Sequence, residues 1–130
     1  MYRTVMKKFI ILLMIVGAVR AHEMVPTYPT WETTYVDGVL KTTMELFNKR
    51  DDVEYYEIGV FDEAFWPIPF VTTYKVLKVK YLSHVDVDIY IKKEDKDKAM
   101  YICSKSKIKK EEVIRTAVSS RICSKFKKDL

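Results

Sequence analysis

The stretch HVDVDIYI, residues 84–91, decides the fold class. Val85, Val87, Ile89 and Ile91 share one parity, while Asp86, Asp88 and Tyr90 share the other. In an extended chain successive side chains point to opposite faces, so this alternation describes a strand with one buried and one solvated face. The pattern recurs upstream. Residues 39–47 (VLKTTMELF) set Leu40, Met44 and Leu46 against Lys41, Thr43 and Glu45, and residues 53–61 (VEYYEIGVF) put Tyr56, Ile58 and Val60 on the inward parity. Asp37-Gly38 and the polar run Asn48-Lys49-Arg50-Asp51-Asp52 supply the intervening turns.

The remaining segments fit the same scheme. Residues 22–38 read as an extended lead-in with a first edge strand. Residues 62–70 (DEAFWPIPF) carry two prolines, which exclude a central strand, and three aromatics expected to plug the core as the chain crosses over. Residues 71–81 (VTTYKVLKVKY) read as one strand whose apolar parity shifts between Val76 and Leu77, the mark of a bulge or a change of face. Residues 92–98 (KKEDKDK) are an exposed turn, and 99–104 (AMYICS) a short strand. Residues 113–126 fit both periods, because Ile114, Val118 and Ile122 align on a strand face and also at helical spacing. The Thr-Ala-Val-Ser-Ser stretch favours a strand. About seven short strands in about 100 residues, with a turn every 8–12, predict an all-β, immunoglobulin-like β-sandwich.

Residues 1–21 (MYRTVMKKFIILLMIVGAVRA) stand apart. Lys7-Lys8 precede the apolar run Phe9 to Val19, and Val19 and Ala21 occupy the positions read by a signal peptidase. The run is about eleven residues, short of the roughly 20 that span a bilayer, so the segment reads as a cleaved signal peptide. The expectation is an exported, periplasmic or secreted chain of one domain, 22–130, that meets the membrane only through its signal peptide. Export also shapes the reading of the cysteines. Cys103 and Cys123 are the only two, and in an oxidising compartment an even pair predicts one disulfide. Cys103 has the parity opposite Ile102, and Cys123 the parity opposite Ile122, so both are expected to point outward together. They would then join two neighbouring strands of a hairpin whose tip is residues 105–112.

The net charge of the chain is +5, but residues 1–21 hold four basic residues and no acid. Residues 22–103 carry 10 basic and 15 acidic residues, and residues 104–130 carry 9 basic and 3 acidic. The basic final quarter reads first as a solvated polar face that balances the acidic body; as a binding surface it would suit an acidic partner or a phosphate-rich surface. Nucleic acid is not expected, since no RNA-binding signature accompanies the charge.

The order of these features resembles the N-terminal domain of the PapD-like periplasmic chaperones of pilus assembly. The resemblance rests on the strand Leu40 to Phe47 ending in Asn48, on Tyr56-Glu57-Ile58-Gly59-Val60-Phe61, on the Pro67-Ile68-Pro69-Phe70 crossing, on the Val85 to Ile91 strand and on a closing strand. One subclass of that family also joins its last two strands by a disulfide, which would match Cys103 and Cys123. The resemblance implies a protein partner, such as a pilin-like or other exported subunit, bound through the last two strands. Ile114, Val118 and Ile122 would then give apolar contacts, and Arg115, Arg121, Lys107, Lys109 and Lys110 would steer an acidic partner or hold a carboxylate. The chain departs from the family in stopping at Leu130, without a second sandwich domain, and in lacking Arg or Lys between His22 and Lys41.

The alternative is a small copper-binding sandwich. Cleavage after Ala21 would make His22 the first residue, and His84 is the only other histidine; imidazole suits copper. Otherwise no cofactor is expected. No enzyme is expected either: Asp86 and Asp88 lack an acid/base partner, and Ser119, Ser120 and Ser124 lie in no nucleophile motif.

Overall fold

Val39–Phe47 (β3) and His84–Lys92 (β6) run antiparallel over their whole nine-residue lengths, from Val39 opposite Lys92 to Phe47 opposite His84. Leu40, Met44, Leu46, Val87, Ile89 and Ile91 are buried beneath this pair, as their alternation requires. The computed structural model of the protein describes residues 22–107 and 119–126. Glu23–Val25 (β1) and Glu32–Thr33 (β2) both pair with β3, opposite the end and the start of that strand respectively. They form the first sheet with β6. Tyr55–Phe61 (β4), Val76–Lys78 (β5), Tyr101–Lys107 (β7) and Arg121–Lys125 (β8) form the second, in the order β5-β4-β7-β8. All pairs are antiparallel.

The two sheets enclose one core drawn from both, including Met44, Leu46 and Ile89 from one side and Tyr56, Val60 and Ile102 from the other. With strands 1, 3 and 6 in one sheet and 4, 7 and 8 in the other, this is the immunoglobulin-like sandwich expected from the sequence. No α-helix occurs among the described residues. Residues 121–125 are strand, and the part of the ambiguous segment up to residue 118 lies outside the described residues, as do residues 1–21, where a signal peptide is expected.

Three local expectations are corrected. The run 71–81 is not one strand. Val71 bridges Tyr90 at the edge of the first sheet, with reciprocal backbone bonds of 2.9 Å, whereas Val76–Lys78 pairs with β4 in the second. The parity shift therefore marks the chain passing from one sheet to the other. The crossing segment also plugs the core less than expected: Ile68 is buried and Phe70 packs against the core, but Phe65 and Trp66 stay exposed. Finally, β7 continues to Lys107, so Lys105 and Lys107 are strand residues, not a hairpin tip.

Asn48 ties the two sheets at the end of β3. Its side chain is fully buried, and Nδ2 donates to Val53 O at 2.7 Å and Val79 O at 2.8 Å. Oδ1 accepts from Tyr56 Oη at 2.5 Å and from the Arg50 N–H at 2.8 Å. Its backbone bonds Ser83 and Leu82. Asn48→Ala leaves Tyr56 Oη and two carbonyls buried without partners, at about 1–3 kcal/mol for each group left unsatisfied. A loss of at least about 3 kcal/mol is expected, read from urea unfolding as a lower midpoint with an unchanged slope.

Candidate functional site

β4 and β7 are the inner strands of the second sheet, and β8 lies outside β7 at the edge. Cys103 and Cys123 face each other directly in the register and form a disulfide, with Cα atoms 4.0 Å apart. The cross-link spans 20 residues of sequence, a closure worth about 3 kcal/mol in the chain-entropy model. Both cysteines lie on the outer parity, as expected. Cys123 is exposed, but Cys103 is covered, only 2% accessible.

Backbone bonding gives β8 two different sides. The Ser106 N–H donates to Ser120 O at 2.9 Å, and the Phe126 N–H to Met100 O at 2.8 Å. Antiparallel pairing alternates every second residue, so Ser120, Ile122, Ser124 and Phe126 direct their backbone groups to β7. Arg121, Cys123 and Lys125 direct theirs away. The Lys125 N–H is taken up by Thr27 O at 3.2 Å. The outward groups of Arg121 and Cys123 meet no backbone partner among the described residues. Among the described residues the edge is thus unpaired at Arg121 and Cys123, while β1 flanks it and Thr27 closes it at Lys125; unpaired edge groups of this kind can accept another strand.

The outer face beside that edge is a cleft of about 340 Å³ lined by Gly59, Phe61, Phe65, Cys103, Lys105 and Arg121, among others. The Phe61 ring folds over Gly59 so closely that a Cβ there would stand 2.7 Å from it. The Arg121 guanidinium lies 4.5 Å from the centre of the Phe61 ring and 5.2 Å from that of Phe65. Phe65 stacks on Tyr101 at 4.6 Å. Phe65 itself has a φ of 61°, a left-handed conformation that bulky residues avoid. Asp62 holds it there: Oδ1 accepts from the Ala64 and Trp66 amides at 2.9 Å, and the Phe65 N–H donates to Asp62 O at 3.0 Å. The turn thus sets an aromatic wall against which Arg121 rests.

The inner face of the same hairpin is polar. Ser104, Ser106 and Ser124 are buried on it, and Ser104 and Ser120 hold His22, which is 1% accessible. His22 Nε2 lies 2.8 Å from Ser104 Oγ, and Nδ1 3.1 Å from Ser120 Oγ. Its ring is 4.6 Å from that of Tyr56. A neutral imidazole donates through one nitrogen and accepts through the other, which two hydroxyls can match. Burial lowers the His22 pKa; a backbone bond to Ser104 opposes this, and the nearby Arg50 cation adds to it. Arg50 forks onto Asp52, with Nε to Oδ1 at 2.9 Å and Nη2 to Oδ2 at 2.6 Å. Those hydrogen bonds hold Asp52 below the usual carboxylate range. Burial pushes Tyr56 up to about 12.

The structure thus joins Cys103 to Cys123 and places Arg121 on the cleft beside them. It does not support two of the contacts expected for a partner. Ile122 packs against the core from the inner face of β8, and Lys107 ion-pairs with Glu57 on β4. Ile114, Arg115, Val118, Lys109 and Lys110 lie outside the described residues. His22 and His84 are held apart by different partners. His84 is exposed on the first sheet, with Nδ1 3.6 Å from Glu45 Oε1. Among the described residues no three His, Cys, Asp or Glu side chains are grouped to hold a metal ion.

Sequence reasoning missed Phe61, Phe65, Lys105 and the serine ring. Ser104-x-Ser106 and Ser120 share the parity of buried isoleucines, which marked them as inward-facing polar groups awaiting a partner. Nothing local marked Phe65, whose position depends on the turn's conformation.

No family model matches the chain, and no curated protein does. Among solved structures it is similar to a FixG-related protein from Vibrio parahaemolyticus, at 16% identity and a TM-score of 0.47, over 86% of this chain and 100% of that one.

The lowered His22 pKa gives a definite sign to the pH dependence of stability. Below its unfolded value of 6.5 the unfolded chain binds more protons than the folded one, so stability falls as pH drops through 6.5 and levels off below the folded pKa. The melting temperature should therefore fall between neutral pH and pH about 5 by more than it does in His22→Gln. Equal slopes in calorimetric melts of the two proteins would contradict this placement of His22.

Proposed function

We propose that the protein is an exported, non-enzymatic binding module that takes an extended segment of a protein partner along the free edge of β8. The observation that carries this reading is the pair of outward backbone groups at Arg121 and Cys123, braced by the disulfide at the same strand position. A braced edge has less freedom to lose on binding, which favours affinity. Arg121 adds a cation beside the edge, positioned by Phe61 and Phe65. The resemblance to the N-terminal domain of pilus-assembly chaperones supports the same mode and suggests a pilin-like or other exported subunit as partner. The copper alternative is not favoured, because both ring nitrogens of His22 are already engaged by serine oxygens.

Export is the first testable part. Material recovered from the exported fraction should have the mass of residues 22–130 less two hydrogens, and gain them on reduction. Retention of residues 1–21, or two free thiols before reduction, contradicts it.

Edge binding is the second. Arg121→Ser removes the side chain and keeps the outward N–H; Arg121→Pro removes both, and proline is tolerated on an edge strand whose N–H faces solvent. For a partner isolated with the exported protein as bait, the serine variant should bind about tenfold more weakly at low salt, mainly through a slower on-rate. The proline variant should lose binding altogether. Proline binding as well as serine, with both variants folded by circular dichroism, would rule out strand addition at this edge.

A further inference from the structure

The outer faces of the two sheets carry opposed like-charge pairs. On the second sheet Lys105 stands directly opposite Arg121, and both are exposed. On the first sheet Glu45 stands directly opposite Asp86, and both are exposed. Like charges directly across a strand pair repel, so each arrangement is unfavourable by itself. Neighbouring charges offset them only in part. Beside the basic pair, Glu57 stands directly across from Lys105 on β4, but its carboxylate is engaged by Lys107. Around the acidic pair, Asp88 is engaged by Lys41 and accepts from Thr43, and Glu23 is engaged by Lys49. Among the described residues Glu45 ion-pairs only with His84, at 3.6 Å and charged only when protonated. Each face therefore keeps two charges of one sign in the same cross-strand geometry, with the sign inverted between faces.

We propose that the protein binds a second copy of itself face to back, the Lys105–Arg121 pair of one molecule meeting the Glu45–Asp86 pair of the next. Opposite-sign pairs brought together add up to four attractive contacts, which outweigh the two repulsive cross-strand contacts that remain. Arg121 is already ordered against Phe61 and Phe65, so little side-chain freedom is lost on contact. The exposed Phe65 at the rim of the cleft and the half-exposed Phe47 and Tyr90 on the acidic face supply apolar contact around the charges. The two surfaces differ, so the contact is heterologous. A heterologous contact grows into a row unless its rotation closes a ring. This assembly uses sheet faces and leaves the β8 edge to a different partner.

Sedimentation velocity across a concentration series tests the proposal. At about 0.01 M salt the Debye length is roughly 30 Å, and at about 1 M it is roughly 3 Å. Species larger than a dimer should appear with rising concentration at low salt and vanish at high salt. The variant Lys105→Glu/Arg121→Glu has two acidic faces, and Glu45→Lys/Asp86→Lys two basic ones; each alone should remain monomeric. Mixed one to one, they should assemble again. A wild-type monomer at low salt at every concentration overturns the proposal, as does association that survives in either variant alone. Should either double reversal fail to fold, Lys105→Gln/Arg121→Gln and Glu45→Gln/Asp86→Asn take their place, and each must abolish the low-salt species. The acidic-face variants lie on the sheet away from β8, so they leave partner capture at the edge intact whatever their effect on self-association.

Discussion

The register of β8 on β7 is the constraint from which the rest of the molecule follows. A one-residue slip turns every side chain of a strand to the opposite face. With Cys103 locked opposite Cys123, Arg121 must stand across from Lys105 on the outer face, and Ile122 across from Ser104 on the inner face. The same register decides which backbone groups of β8 meet β7 and which meet solvent. In the slipped register, Arg121 would enter the serine-lined interior and His22 would lose Ser120. The disulfide therefore matters less for the few kcal/mol it contributes than for the single arrangement it permits.

That arrangement divides the hairpin into two environments. Inside, serines replace the apolar side chains expected of a sandwich core, and the lead-in to β1 fills the space with His22. After β1, Thr27 O on the Lys125 amide and the stacking of Trp31 on Phe126 at 4.4 Å tie the β1–β2 connection to the end of β8. A polar interior requires its partners, since an unpaired buried group costs more than a made bond returns. The N-terminal segment is thus structurally bound to the hairpin that carries the open edge. Outside, the aromatic wall and the cations leave a surface that repels itself and suits an acidic counterpart.

Much of the fold was legible because its strands alternate cleanly. In Val39–Phe47, Tyr55–Phe61 and His84–Lys92 one face is buried and the other is not, so parity alone orients them. Cys103 and Cys123 were legible by the same parity. The run 71–81 was misread because period two cannot distinguish a bulged strand from a chain that touches two sheets in succession. The site was less legible than the fold. Arg121 could be named, but its footing on Phe61 and Phe65 depends on the Asp62 turn and on a positive φ that no residue type there announces. Sequence pattern alone leaves Ile122 free to meet a partner and puts Lys107 at a loop tip. An apolar residue on an edge strand faces either core or solvent according to register, and the end of β7 carries no break in composition.

The central claim is that β8 has one bonded side and one free side, fixed by the cross-link. Amide hydrogen exchange of the oxidised protein, followed residue by residue by NMR, measures this directly. The account predicts strong protection at Ile122 and Ser124, whose amides face β7, weaker protection at Lys125, which meets Thr27, and fast exchange at Arg121 and Cys123. Protection of Arg121 and Cys123 equal to that of their neighbours would mean that the edge is already covered, and would contradict it.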